Sequence, residues 1–245
     1  MTYSNSRCQI SKAIDFMFPQ TCLLCGKWGQ DLCEECINKF DKIHIQSCHV
    51  CKRELDPSKY KFIHPWCKSK THLSGVIVLY RYDKNIEKVI ADIKYEYNYS
   101  MIHALTSLYK DLLSGKDYLS ILTRSSILVP VPIDIFKQNE RGFNQSELIS
   151  RDLEKTFGIK YINLLKKKLF FHSQVGMKKE ERLKNLNGAF YISSREKSPQ
   201  SGAVKRIVLI DDVMTTGATL EECAKTIKAA NSKLRVYGLV FARGQ

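Results

Sequence analysis

The stretch that decides the fold is Arg206–Leu220, which reads RIVLIDDVMTTGATL. Its first half is a β-branched apolar run without alternation, a pattern typical of a strand that is buried on both faces of a parallel sheet. Two acids, three threonines and a glycine follow. Apolar residues then recur at helical spacing over Leu220–Ile227, and Thr219 with Glu222 predicts a capping box at the start of that helix. A strand, a polar loop and a helix in this order predict a ligand site at the carboxyl end of the strand.

The polar loop has the composition of a phosphate site beside an acidic one. Hydroxyl donors, a glycine that lets the backbone approach closely, and the free N–H groups of a helix N-terminus suit one phosphate group. The residues that supply them are Thr215, Thr216, Gly217, Ala218 and Thr219. Asp211 and Asp212 would repel a phosphate, so we expect them to face ribose hydroxyls or a magnesium ion. The implied ligand is a sugar phosphate with free hydroxyls.

This run resembles the phosphoribosyl-diphosphate (PRPP) motif of type I phosphoribosyltransferases. The matching features are four apolar residues, two acids and then the threonine-glycine loop. The resemblance implies that the chain binds PRPP together with Mg²⁺. The alternative is a buried strand that merely ends in an Asp-Asp turn, but such a turn does not require the cluster of threonines.

Length and composition are those of a soluble globular protein. The chain has 245 residues, of which 44% are hydrophobic and 26% charged, enough for one α/β domain with an appendage or for two modest domains. It contains no apolar run of the roughly 18 residues that a membrane span requires. Met1–Arg7 lacks the basic-then-apolar order of a secretory signal, so we expect a cytoplasmic protein. The formal charge of +14 favours a polyanionic partner.

Cysteine spacing predicts two metal sites. Nine cysteines in a chain without a secretory signal indicate metal binding rather than disulfides. Three Cys-x2-Cys knuckles and one His-x2-Cys knuckle can form two tetrahedral zinc shells, one of four cysteines and one of three cysteines and a histidine. The expected ligands are Cys22, Cys25, Cys33, Cys36, Cys48, Cys51, His64 and Cys67. Interleaved pairing of the knuckles, or His72 or a water in place of His64, stays open.

Periodicity along the rest of the chain predicts alternating strands and helices. Strands are expected at Gly75–Tyr80, Ser126–Val131, Gly188–Ile192 and Leu234–Phe241. Helices are expected at 12–18, 86–93 and 101–112, and a further one from an N-cap at Asn144 to a stop at Gly158. Pro130 and Pro132 lack N–H donors, so the second of these strands must end there.

Two neighbouring segments are candidates for binding anions or bases. The loop after Pro132 carries Lys137 and Arg141, which makes it either a diphosphate site or a basic surface loop. The aromatics Tyr95, Tyr97 and Tyr99 lie among basic residues and can stack the bases of a single strand, or simply pack as half-buried side chains.

The segment Lys160–Asn187 has eight basic residues against Glu180 and Glu181 and lacks clean periodicity. It is interpreted as a mobile flap that covers the site, and the alternative is a solvated basic face. The candidate contacts to single-stranded DNA are Lys166, Lys167, Lys168, Lys178, Lys179 and Arg182. Arg182 is also a candidate for the PRPP pocket.

With these pieces in order, the chain resembles the ComF (ComFC) family of competence-associated proteins over nearly its whole length. The resemblance rests on the four knuckles, on Val129–Pro132, on Arg141–Leu148 and on the Asp211–Thr219 motif. Further matches are Gln174, Arg182, Asn185 and Gly188–Phe190. One departure is His64, where the family pattern would have cysteine.

The family resemblance implies a double zinc ribbon, placed at residues 1–73, and a type I phosphoribosyltransferase-like domain at 74–245. The second domain would be an α/β unit with a parallel sheet flanked by helices. The resemblance also implies a cytoplasmic role in handling incoming single-stranded DNA during natural transformation, beside a ComFA-like competence helicase and other DNA-processing proteins.

Three functional hypotheses follow. The first is a DNA-handling protein whose pocket binds PRPP. The second is an active phosphoribosyltransferase that transfers ribose 5-phosphate to an unidentified acceptor. The third is a zinc-ribbon scaffold with a vestigial pocket. The intact motif argues against the third hypothesis, and the basic charge together with the ribbons favours the first.

Overall fold

The fold is given by a computed structural model that describes residues 20–95, 99–113, 121–169, 186–194 and 204–244. The helix expected at 12–18 lies outside these residues. No helix in the described ranges combines the length and the apolar character that crossing a bilayer requires.

A parallel sheet of four strands forms the centre of the molecule. Its strands are β1 (Gly75–Arg81), β2 (Ser126–Pro130), β5 (Arg206–Met214) and β6 (Arg235–Arg243), in the spatial order β1-β6-β5-β2. Residues Ile207–Ile210 of β5 are fully buried, because this strand lies between β6 and β2 and has helices or an antiparallel strand pair over its faces. The expectation from the apolar run is confirmed.

Helices cover both faces of the sheet. Three of them pack on one face, namely α2 (Lys84–Tyr95), α3 (Tyr99–Leu113) and α5 (Gln145–Phe157). Helix α6 (Ala218–Ala230) lies on the other face, together with an antiparallel pair of short strands, β3 (Leu165–Lys167) and β4 (Phe190–Ile192). Two further helices, α1 (Glu34–Ile37) and α4 (Ile135–Arg141), are short. The α/β class with a parallel sheet flanked by helices is thus confirmed.

Several local expectations need correction. The segment after β2 is not a plain loop, because Asp134 caps α4 by accepting a hydrogen bond from Phe136 N. The capping box is also wrong, since Gly217 caps α6 and Glu222 instead accepts a hydrogen bond from Gly188 N at 2.6 Å. The flap interpretation fails at Leu165–Lys167, which pairs with β4. Residues 170–185 lie outside the described ranges.

The cysteine-rich region is attached to the open edge of the sheet. Edge strands carry unpaired backbone groups, and the segment Asp41–Gln46 satisfies those of β1. Lys42 forms an antiparallel bridge with Tyr80, and Ile43 N donates to Leu79 O at 2.9 Å. The Gln46 amide donates to Val78 O and accepts from Val78 N, at 2.9 and 3.0 Å. The Gln46 side chain therefore makes the two hydrogen bonds to β1 that the backbone of a neighbouring strand would make.

Candidate functional site

The acid pair lies at the carboxyl end of β5. Asp211 is in register with Val240 of β6, and Ser146 Oγ at the start of α5 lies 3.4 Å from Asp211 Oδ1. Burial and then the charge of Asp212 raise the pKa of Asp211 to about 8. The nearby charge of Lys94 acts in the opposite direction but does not cancel this rise, so the Asp211 carboxyl of the ligand-free chain is largely protonated at neutral pH.

Lys94, near the end of α2, contacts the acid pair directly. Its Nζ lies 2.6 Å from Asp212 Oδ2, and both side chains are mostly buried. Burial alone would lower the pKa of Lys94, but the attraction of Asp212 outweighs it and raises that pKa. Lys94 thus supplies a positive charge beside the acids. Sequence reasoning missed this role, because only the fold brings α2 next to the end of β5.

The threonine loop turns between β5 and α6. Gly217 has φ 86°, in the left-handed region, and a Cβ there would lie 3.3 Å from Met214 Sδ, so glycine suits this position. Thr216 Oγ1 accepts a hydrogen bond from Ala218 N at 3.3 Å. Thr215 and Thr216 are exposed, whereas Thr219 is half-buried in the first turn of α6. The structure therefore places the candidate phosphate ligands on one turn at a helix N-terminus.

The segment after β2 reaches the same edge of the sheet. Val131 N donates to Ile210 O at 2.9 Å, and Asn144 Nδ2 donates to Val131 O at 3.0 Å, which anchors the turn at Pro132. The Arg141 guanidinium lies 5.6 Å from the centre of the Tyr95 ring. Arg141 is also close enough for its charge to act against protonation of Lys94. Arg141 is therefore near the acid pair.

The remaining predicted DNA and diphosphate residues are only partly described. Lys137 is exposed on α4 and near Lys167, whose pKa is lowered by burial and by the charge of Lys137. Lys166 and Lys168 are exposed. The described residues do not include Tyr97, Lys178, Lys179, Arg182 or the side chain of Tyr99. Tyr95 is 65% exposed, and the Arg141 guanidinium lies over one face of its ring.

A second basic surface lies at the opposite edge, where the parallel strands begin. We call it the amino-edge patch, and its cations are Lys205, Arg206, Lys228, Lys233 and Arg235. They line a depression of about 970 Å³ whose lining, among the described residues, contains no acidic side chain. Sequence reasoning did not find this patch, because its members come from the starts of two strands, the segments just before them and the end of α6.

The first metal site brings together four thiols. The Sγ atoms of Cys22, Cys25, Cys33 and Cys36 all lie within 4.8 Å of one another. Burial would raise the pKa of the Cys22 thiol, but hydrogen bonds from the backbone of Cys33, Cys25 and Leu24 outweigh it and lower the pKa to about 6. This donor set fits Zn²⁺ in a tetrahedral shell of four thiolates.

The second metal site contains the histidine. Cys48, Cys51, His64 and Cys67 place their ligand atoms within 4.8 Å of one another, and His64 Nδ1 lies 3.3 Å from Cys51 Sγ. The Trp66 ring stacks on His64 at 4.6 Å between centroids. The knuckles are therefore paired in sequence order rather than interleaved, and His72 is engaged elsewhere, with its Nδ1 2.7 Å from Glu221 Oε1. A zinc shell of three thiolates and one imidazole fits these atoms.

The metal content of two variants tests this assignment. We expect two zinc ions in the untagged chain and one in His64→Ala, because three thiolates alone leave a tetrahedral shell incomplete. The control His72→Ala should keep two. Elemental analysis gives the stoichiometry. One zinc or none in the wild type, or two in His64→Ala with one in His72→Ala, would contradict the assignment.

The two cysteines outside these sites differ. Cys223 is fully buried on the inner face of α6, as the helical spacing predicted. Cys8 lies outside the described residues.

Comparisons with known proteins agree with this arrangement. Residues 13–69 match the family model "Double zinc ribbon domain". The chain is 26% identical to Competence protein F of Haemophilus influenzae, over 89% of this chain and 84% of that protein. It is also 26% identical to Competence protein ComFC of Streptococcus pneumoniae (89% and 99%). For Competence protein ComFC of Bacillus subtilis the identity is 27% (84% and 88%).

These matches extend through the sheet as well as the cysteine knuckles. The resemblance inferred from the sequence is therefore confirmed: the chain is similar to ComF and ComFC competence proteins over most of its length, and its amino-terminal part matches a double zinc ribbon.

Proposed function

We propose that the chain handles single-stranded DNA in natural transformation and binds PRPP through the loop between β5 and α6. The observation that carries the PRPP part is the acid pair and the threonine loop at one carboxyl edge of a parallel sheet. This edge is where open α/β sheets bind their ligands. The relatives are all named as competence proteins, which supports a role in natural transformation.

Different residues of this edge would bind different parts of PRPP. The N–H groups and hydroxyls of Thr215–Thr219 would hold the 5-phosphate. Asp211 and Asp212 would accept hydrogen bonds from the ribose hydroxyls, and their oxygens suit Mg²⁺, which would offset the charge of the diphosphate. Arg141, Lys137 and the turn at Pro132 would bind the diphosphate. Lys94 would shift from Asp212 toward the anionic ligand.

The proposal for DNA rests on charge and aromatic surface. The formal charge of +14 favours a polyanion. Exposed lysines at the base of the flap provide phosphate contacts, and Tyr95 provides a face for stacking.

We further assign residues 1–73 to the zinc-binding domain and 74–245 to the phosphoribosyltransferase-like domain. We place the protein in the cytoplasm beside a competence helicase.

Calorimetric titration tests both parts of the proposal. Zinc-loaded protein is titrated with PRPP in the presence of Mg²⁺, with single-stranded DNA, and with each in the presence of the other. We expect both to bind, and an unchanged PRPP affinity in the presence of DNA would mean that the two sites are distinct. No DNA binding at low salt would overturn the DNA part. Turnover of PRPP on addition of an acceptor would favour the transferase hypothesis instead.

A further inference from the structure

Glu221, in the first turn of α6, connects the threonine loop to the segment that follows the second zinc ribbon. Its backbone N–H donates to Gly217 O at 2.9 Å, which closes the turn at the end of the loop. Its carboxylate accepts hydrogen bonds from Thr71 and His72, which precede it by 150 and 149 residues. Glu221 therefore contacts the candidate phosphate loop with its backbone and the zinc-binding region with its side chain.

Three hydrogen bonds hold the Glu221 carboxylate. Oε2 accepts from Thr71 Oγ1, and Oε1 accepts from His72 N at 2.8 Å and from His72 Nδ1 at 2.7 Å. Burial would raise the pKa of Glu221, but the hydrogen bonds from Thr71 and His72 outweigh it and lower that pKa. The group is therefore ionised at neutral pH, and its position relative to residues 71–72 is fixed at both oxygens.

Thr71 extends these contacts to a knuckle of the second zinc site. Its Oγ1 lies 3.1 Å from His49 Nε2. A hydroxyl has one proton to donate. Because Thr71 donates that proton to Glu221, the His49 ring must donate in the other contact, from Nε2. Hydrogen bonds thus run from His49 through Thr71 to the Glu221 carboxylate, and we call these residues together with His72 the Glu221 network.

The Glu221 network begins at two ligands of the second zinc site. His49 directly follows Cys48, and Thr71 directly follows the 3-10 helix Pro65–Lys70, which carries Cys67. Binding of both cysteines to one zinc ion would keep His49 and Thr71 at the distance at which they bond. Structural zinc supplies folding energy to small metal-binding regions. Loss of the metal should therefore separate His49 from Thr71 and release the Glu221 carboxylate.

We propose that Glu221 is a positioning residue that makes the conformation of the threonine loop depend on zinc in the second ribbon. With zinc bound, Thr71 and His72 hold the carboxylate and, through the first turn of α6, the N–H groups of the loop. Without zinc, the released carboxylate lies free near these N–H groups, where it repels a phosphate. The effect on the loop stands on the hydrogen bonds alone, whereas its consequence for PRPP affinity rests on the function proposed above.

Hydrogen–deuterium exchange over residues 215–222 tests the network in the zinc-loaded chain without PRPP. Thr71→Val removes the hydroxyl but keeps the shape of the side chain. We expect it to speed exchange of the Glu221 N–H by about tenfold, because a hydrogen bond to a charged carboxylate is lost. Thr71→Ser keeps the hydroxyl, so this matched control should exchange as the wild type does. Elemental analysis should give two zinc ions in both variants, which separates the hydroxyl from the metal.

Removal of the second zinc tests the link to the metal. His64→Ala should speed the same exchange, and in a Glu221→Ala background it should have no further effect, because both changes break one connection. His72→Ala breaks the network at an exposed side chain and should speed exchange with both zinc ions retained, even if Thr71→Val fails to fold. Exchange at the wild-type rate in His72→Ala, or additive effects of His64→Ala and Glu221→Ala, would overturn the proposal.

Titration with PRPP and Mg²⁺ separates this inference from the proposed function. If both are correct, PRPP binds Thr71→Val about tenfold more weakly than the wild type and binds Thr71→Ser equally well. A wild type that binds no PRPP, but whose loop exchange follows zinc as described, would remove the proposed function and support the network. PRPP binding that is equal in the wild type, Thr71→Val and His64→Ala would overturn the positioning role and leave the PRPP site standing.

Discussion

Asparagine at both Asp211 and Asp212 should weaken PRPP binding by at least about a hundredfold. Each lost hydrogen bond to a charged carboxylate costs about 1.5–3 kcal/mol, and about 1.4 kcal/mol corresponds to a factor of ten in affinity. The double variant also lacks the carboxylates that would hold Mg²⁺. Calorimetry with PRPP and Mg²⁺ measures the loss. Asp152→Asn, an acidic residue on α5, is the control and should bind as the wild type does.

The pH dependence of the same variants gives an independent check. Because the pKa of Asp211 is raised to about 8, a ligand or cation that needs its carboxylate must displace a proton at neutral pH. PRPP affinity in the wild type should therefore rise from about pH 7 to about pH 9, across the pKa of this group. Asp211→Asn should lose this rise. A well-folded double variant with unchanged affinity would show that the motif is not the PRPP site.

The stability of the ligand-free protein should vary with pH in the opposite direction. The folded chain retains a proton on Asp211 that the unfolded chain releases at an ordinary aspartate pKa of about 4. Between that value and the folded pKa of about 8, the unfolded state binds fewer protons. The contribution of Asp211 to the free energy of unfolding should thus fall as pH rises through this window. Asp211→Asn should remove this decline, which denaturant titrations at several pH values would detect.

The strand and the metal ligands could be predicted from the sequence because their signals are local. A run such as Ile207–Ile210 indicates burial on both faces by composition alone. The two-residue spacing of the knuckles likewise indicates paired ligands, and the structure brings them together as two sets. The order of strand, polar loop and helix also predicts a ligand edge at the carboxyl end of β5, and this stays a prediction until binding is measured.

The contacts that sequence reasoning missed depend on the fold. Lys94 and Asp212 belong to different elements, and no spacing rule relates them before α2 packs beside β5. Glu222 has the sequence position of a capping residue, but its carboxylate accepts from Gly188 N, far away in the chain. Gln46 is an ordinary polar residue in the sequence, yet it replaces a backbone partner for β1. Local patterns carry no information about such partners.

Alanine at five lysines of the basic segment 160–187, which we call the flap variant, should flatten the salt dependence of DNA binding. The substituted residues are Lys166, Lys167, Lys168, Lys178 and Lys179. Each phosphate contact on a single strand contributes about 0.7 to the slope of log affinity against log salt, so five lost contacts would reduce it by about 3.5. Fluorescence anisotropy with labelled oligonucleotides at several salt concentrations measures the slope. Binding should be largely insensitive to base sequence, because phosphates and stacking dominate.

The amino-edge patch supplies the matched control for charge. Alanine at Lys205, Lys228 and Lys233 removes three cations from the opposite edge of the sheet, and this variant should keep the wild-type slope if DNA follows the flap. Arg182→Ala is measured separately, since Arg182 is also a candidate for the PRPP pocket. In the opposite outcome, the flap variant keeps the wild-type salt slope and the slope of the patch variant falls by about 2, at about 0.7 per contact. The DNA then lies along the amino-edge patch. It would then be remote from the threonine loop, and PRPP and DNA would occupy opposite edges of the same sheet.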